Sequence, residues 1–143
     1  MDNFRAIEIS AAGMAAQKMR IEAAALNLAN INVSSRAGTP GYRPVTAVVH
    51  ARPTPFSSAF LGARGTTMLA SAEIVPLSNV GSRLAYEPGH PDADANGMVA
   101  YPAIDHTSEM MTVVTAMRSY QANLAVLQAS RTLMSKALEI GGQ

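Results

Sequence analysis

The sequence predicts a mainly α chain with a small β-rich insert, its long N- and C-terminal helices pairing as a coiled-coil-like bundle around a Pro/Gly-rich middle segment. Three observations predict it. At the front, Phe4, Ile7, Ala11, Met14, Lys18, Ile21, Ala25 and Leu28 step by three and four, with only Lys18 breaking the apolar set. At the back, Met110, Val113, Met117, Tyr120, Leu124, Leu127, Arg131, Met134 and Leu138 do the same, with Arg131 the exception. All eight prolines fall between Pro40 and Pro102. An apolar repeat of about 3.5 residues is the spacing of a seam that faces another helix, and proline does not continue a helix interior. The organisation expected is an N-terminal helix over 1–33, a loop and small β insert over 34–103, and a C-terminal helix over 104–143.

The first helix is expected from about Asn3 to Asn30. Asp2 or Asn3 can accept bonds from its free amides, and alanine dominates from Ala11 to Ala29. A second apolar line, Ala12, Ala16, Met19, Ala23 and Leu26, points to neighbours on two sides. Asn27, Asn30 and Asn32, then Ser34 and Ser35, offer side chains that compete for backbone hydrogen bonds and end the pattern. Ala37 to Gly41 is a turn cluster. Val45 to His50 is a strand, cut short by Pro53 and Pro55, and Phe56 to Thr67 is a loop. Met68 to Val75, closed by Pro76, and Leu84 to Tyr86 are weaker strands. Asn96-Gly97 tolerates positive φ at a hairpin turn, and Met98 to Tyr101 returns. The last helix starts after Pro102, capped by Asp105 or Thr107, and runs to about Ile140, where Gly141 and Gly142 stop it. Asp105 and Glu109 near its start, with Arg131 and Lys136 toward its end, match the helix dipole.

Composition argues against several classes of function. Charged residues are 15% of the chain and net charge is +1, too few cations for a nucleic-acid binder. Cysteine is absent, which excludes disulfides. Met1 to Arg5 lacks the basic run and apolar core of a cleavable secretory signal, and no segment is long and apolar enough to span a bilayer. Asp92, Asp94, Asn96 and Gly97 reproduce the first half of a calcium loop, but Ala103 stands where the closing glutamate belongs. His50, His90 and His106 lack ligand spacing, and no glycine-flanked serine elbow occurs. Arg36, Arg43, Arg52 and Arg64 lie in an acid-free segment that reads as solvated loop arginines. No catalytic residue, cofactor, metal or small-molecule substrate is expected. An assembly part is.

The run from Tyr86 through Pro88, Gly89, His90, Pro91, Asp92 and Asp94 to Gly97 resembles the signature of the proximal-rod branch of the flagellar basal-body rod protein family. Glu109-Met110, then Arg118 to Asn123, then Lys136 to Leu138 are similar to the C-terminal helix of the wider rod and hook family. Ala24 to Asn30 resembles its N-terminal motif. The resemblance implies a non-catalytic subunit of the proximal rod, within the periplasm, exported by the flagellar type III apparatus without a cleavable signal. It further implies contacts with copies of itself, with other rod proteins, and with the membrane ring and rod-base adaptor. The assembly residues expected are Phe4, Ile7, Met14, Ile21, Asn27, Leu28 and Asn30 in front, and Met110, Val113, Met117, Tyr120, Leu124, Leu127, Met134 and Leu138 behind. The alternatives are a self-contained helical-hairpin interaction module or another axial rod or hook protein.

Overall fold

A computed structural model describes residues 2–53, 68–78 and 80–141. The expected loop Phe56 to Thr67, and Arg64 within it, lie outside the described residues, as do the side chains of Phe4 and Arg52. Helix α1 runs Asp2–Ala29. It ends where Asn30 turns its amide group back: Asn30 Nδ2 donates to the Leu26 carbonyl at 2.7 Å, which satisfies one of the free carbonyls of the last turn. Helix α2 runs His106–Gly141. Asp105 caps it, accepting from the Thr107 and Ser108 amides at 3.1 and 3.3 Å, so two of the four free N–H groups at its start are paired.

Between the helices lie five strands: β1 (Ser35–Arg36), β2 (Val45–Pro53), β3 (Met68–Pro76), β4 (Ser82–Tyr86) and β5 (Met98–Pro102). They form two separate sheets, one ordered β1-β5-β4 and the other β2-β3. Both neighbours of β5 are antiparallel to it. Ser35 pairs with Ala100 and Arg36 with Val99 on one side, and Ser82 to Tyr86 pair with Pro102 to Met98 on the other. The central position explains why the buried residues of that sheet, Val99, Ala100 and Pro102, all lie on β5.

This overturns the mainly α fold class. The protein is two helices plus two small antiparallel sheets, not a bundle of long paired helices around a Pro/Gly-rich middle. The reason is where the prolines stand. Pro53, Pro76 and Pro102 each occupy the last position of a strand, where the missing N–H costs the ladder little, so they bound strands and do not abolish them. Beyond Pro76, the Leu77 amide still donates to the Pro44 carbonyl at 2.8 Å.

The chain divides into two compact units. One comprises Met1–Met19, Val48–Glu73 and Thr115–Gln143, the other Arg20–Ala47 and Ile74–Val114. In the first, Ser10 and Ala16 of α1 and Ala116 and Ser130 of α2 are buried. There a Cβ on Gly13 would stand 2.7 Å from the Asn123 amide nitrogen, so the missing side chain leaves the room that Asn123 occupies. In the second, Ala23, Ala24 and Asn27 are buried together with the β5 residues.

Candidate assembly interface

Asn27 sits in the second unit at 1% exposure, one of the two largest side chains that are fully buried among the described residues. Its Nδ2 donates to the Val45 carbonyl and to Glu109 Oε1, both at 2.8 Å. Its Oδ1 accepts from the Val45 amide at 2.8 Å and from the Tyr42 hydroxyl at 3.1 Å. The amide thus imitates a strand neighbour to the first residue of β2 and also holds the first turn of α2. All four of its hydrogen bonds are made within the chain, so nothing is left to offer another one. Burial raises the Tyr42 pKa above 10, a hydrogen bond with Asn30 opposes this, and the Glu109 charge adds to it; the hydroxyl keeps the proton that it donates. Asn30, half-buried, closes the helix end and also hydrogen-bonds with Tyr42.

The expected stripes divide unequally. On α1, Ile7, Met14, Ile21 and Leu28 are half-buried within the chain. On α2 the inward line is Glu109, Val113, Ala116, Ser119, Asn123, Leu127, Ser130 and Met134, again stepping by three and four. Of the expected set, Val113, Leu127 and Met134 share that line. Met110 (45%), Met117 (48%) and Leu138 (74%) face away from it, as do Tyr120 and Leu124. A helix whose inward line is mostly small or polar, with its large apolar residues turned outward, is the reverse of an ordinary amphipathic helix.

A second outward line escaped the sequence reading. Val126 (51%), Leu133 (58%) and Ile140 (81%) are exposed and seven residues apart in the sequence. The spacing was visible.

The signature turn is locked by its own bonds. Asp94 Oδ1 accepts from the Asn96 and Met98 amides, both at 2.8 Å. The Asp94 amide donates to the Met98 carbonyl, and Gly97 donates to the Asp94 carbonyl, both at 3.0 Å. Gly97 has φ +73°, and a Cβ there would strike the Tyr86 ring at 2.9 Å and Pro88 at 3.1 Å; only glycine fits both the angle and the space. Asp92 Oδ2 accepts from Ser34 at 2.6 Å, and His90 Nδ1 accepts from the Asp92 amide at 3.1 Å. The carboxylates that resembled half a calcium loop therefore hold a turn together. Outward from it stand Tyr86, Pro88, Gly89 and Pro91. Beside it, Tyr101 donates to Glu87 at 3.0 Å, and Arg83, its cross-strand partner, lies 5.4 Å from the Tyr101 ring centre.

A polar space of about 370 Å³ lies between the loop from Gly38 to Arg43 and residues 80–82 and 101–102. Its hydroxyls are largely committed: Ser35 to Ala100, Thr39 to Arg36, Tyr42 to Asn27 and Tyr101 to Glu87.

Comparison with known proteins bears on the same elements. The family model described as the C-terminal part of flagellar basal body rod FlgEFG proteins matches residues 95–140, covering β5 and nearly all of α2. The flagellar basal-body rod protein FlgC of Salmonella typhimurium is 39% identical over 135 residues, 94% of each chain. That of Aquifex aeolicus is 36% identical over 141 residues, 97% of each, and that of Bacillus subtilis 31% over 150, 99% of each. The likeness extends over nearly the whole chain, strands and signature turn included, and the chain belongs to the FlgC family of flagellar basal-body rod proteins.

Proposed function

We propose that the chain is a structural subunit of the bacterial flagellar basal-body rod, and that it joins its neighbours through large apolar side chains its own fold leaves outward on α2. The observation that carries this is the reversed helix: Met110, Met117, Tyr120, Leu124 and Leu138 are exposed while Ala116, Ser119, Asn123 and Ser130 face inward. These side chains are 36–74% exposed, so each forgoes only part of the roughly 1.5–3 kcal/mol that full burial gives, a loss that contact with another subunit removes. In this reading residues 1–33 and 104–143 supply the helical wall of the rod, and residues 34–103 supply the rigid turn and sheets beside it. Its neighbours are copies of itself, other rod proteins, and the membrane ring and rod-base adaptor. Family membership supports a place in the basal body. Export through the flagellar type III apparatus and a position within the periplasm complete the proposal. A self-contained hairpin module is not favoured, because it would turn these side chains inward.

Leu124→Asp places a charge on the outward face without touching the inward line. The variant should be expressed with unchanged helicity and fail to restore swimming to cells lacking the wild-type subunit. Normal swimming would sink the proposal.

A further inference from the structure

Asn96-Gly97 carries a chemistry of its own. When glycine follows asparagine, no side chain shields the glycine main-chain nitrogen, which attacks the asparagine side-chain amide carbon. The nitrogen gives up its proton, ammonia leaves, and a five-membered imide ring forms. Water then opens the ring at one of its two carbonyls, and aspartate or its β-linked isomer stands where asparagine stood. Asn96 is the one asparagine of the chain followed by glycine; every other stands before Phe, Leu, Ile or Val, whose bulk hinders the attack. It is also exposed, so water reaches its amide group.

We infer that Asn96 is a deamidation site that the signature turn keeps shut, and that its conversion marks chains in which the turn has opened. The Gly97 nitrogen holds its proton in a bond to the Asp94 carbonyl at 3.0 Å. An imide nitrogen carries no proton, so the ring cannot close while that bond stands. The main chain on either side is pinned as well. Asp94 Oδ1 holds the Asn96 and Met98 amides at 2.8 Å, and the Gly97 carbonyl accepts from the Glu87 amide at 2.8 Å. These bonds keep the Gly97 nitrogen from swinging toward the Asn96 side chain, as an aspartate-closed turn does to the backbone it caps. Gly97 is buried beside Tyr86 and Pro88, while its neighbour faces water. The change is one-way: the β-linked isomer adds a carbon to the main chain between residues 96 and 97, so one Asp94 carboxylate no longer meets both amides, and an altered chain does not rebuild the turn.

The full-length chain is incubated in mildly alkaline buffer and in the same buffer with urea, and the Asn96 peptide is followed by mass spectrometry. Conversion should be at least about tenfold slower without urea, because it waits on local opening. Asp94→Ala releases the Asn96 and Met98 amides and should convert several-fold faster than the wild type in buffer, yet at the wild-type rate in urea. Asp94→Asn keeps an oxygen for both amides and should stay slow. A second measurement needs no variant: wild-type chains carrying the β-linked isomer, made in urea and returned to buffer, should lose hydrogen-exchange protection at the Gly97 and Met98 amides relative to unaltered chains treated alike. Equal wild-type rates with and without urea would overturn the inference. So would an Asp94→Ala rate in buffer no higher than that of the wild type, or full protection of those amides in the altered chains.

Discussion

Asn27 spends its whole hydrogen-bonding capacity on three partners that are far from it in the sequence, Val45, Tyr42 and Glu109. Removing it strands the Val45 amide and carbonyl in a half-buried place, and an unpaired polar group shielded from water costs about 1–3 kcal/mol. Asn27→Ala should therefore lower unfolding free energy by about 2–4 kcal/mol in urea titration, enough to threaten a domain of ordinary stability. A second prediction concerns Tyr42, whose pKa burial raises above 10. The folded chain keeps this proton where the unfolded chain has lost it, so the contribution is complete below about pH 10 and is lost as pH rises through the folded value. Stability should fall more steeply above pH 10 in the wild type than in Tyr42→Phe, as read by denaturation at stepped pH; parallel curves would refute it. Little of this was legible in the sequence. Asn27 reads there as a helix-ending side chain or an outward contact, because partners up to 82 residues away leave no local trace.

At the level of single elements, period and phase are different kinds of information. The steps of three and four over Met110 to Leu138 correctly mark a helix. They do not say which line faces the chain's own core, because Glu109, Ala116, Ser119, Asn123 and Ser130 keep the same step one position over. Apolar content points to the wrong line because the inward neighbours are approached closely, and close approach selects small side chains. Strand positions were more legible: the expected strands Val45 to His50, Met68 to Val75, Leu84 to Tyr86 and Met98 to Tyr101 all fall within β2 to β5. The phase predicts a contrast between adjacent residues. Ala116 is 2% exposed and Met117 is 48% exposed. Ala116→Leu should overpack the inward line and destabilise the isolated chain by about 1–3 kcal/mol, while Met117→Ala should shift it by no more than about 0.5 kcal/mol. Equal effects in thermal melts would mean that the phase is misassigned.

Across the molecule, the buried apolar side chains other than proline among the described ones are Ala16, Ala23, Ala24, Val99, Ala100 and Ala116. Five of the six are alanine, each removing little area from water. Against that gain stands the ordering of helices of 28 and 36 residues, at roughly 1–2 kcal/mol of backbone entropy per residue. Hydrogen bonds at Asn27, Asp94 and Asp105 fix local geometry but add only about 0.5–1.5 kcal/mol each in net stability. The outward apolar lines of α2 are the largest unused source of burial, and they are used only when another subunit arrives. Full helical order is therefore expected to depend on assembly: far-ultraviolet circular dichroism of the purified chain at low concentration should show markedly less helix than two elements of these lengths require, with the shortfall greatest at the chain ends in hydrogen exchange. Helicity should rise when the chain is driven to associate, and Leu124→Asp should suppress the rise while leaving the starting value unchanged. A dilute chain already fully helical and melting in one sharp transition would show that the helices need no partner, and would remove the energetic reason for reading their exposed faces as assembly surfaces.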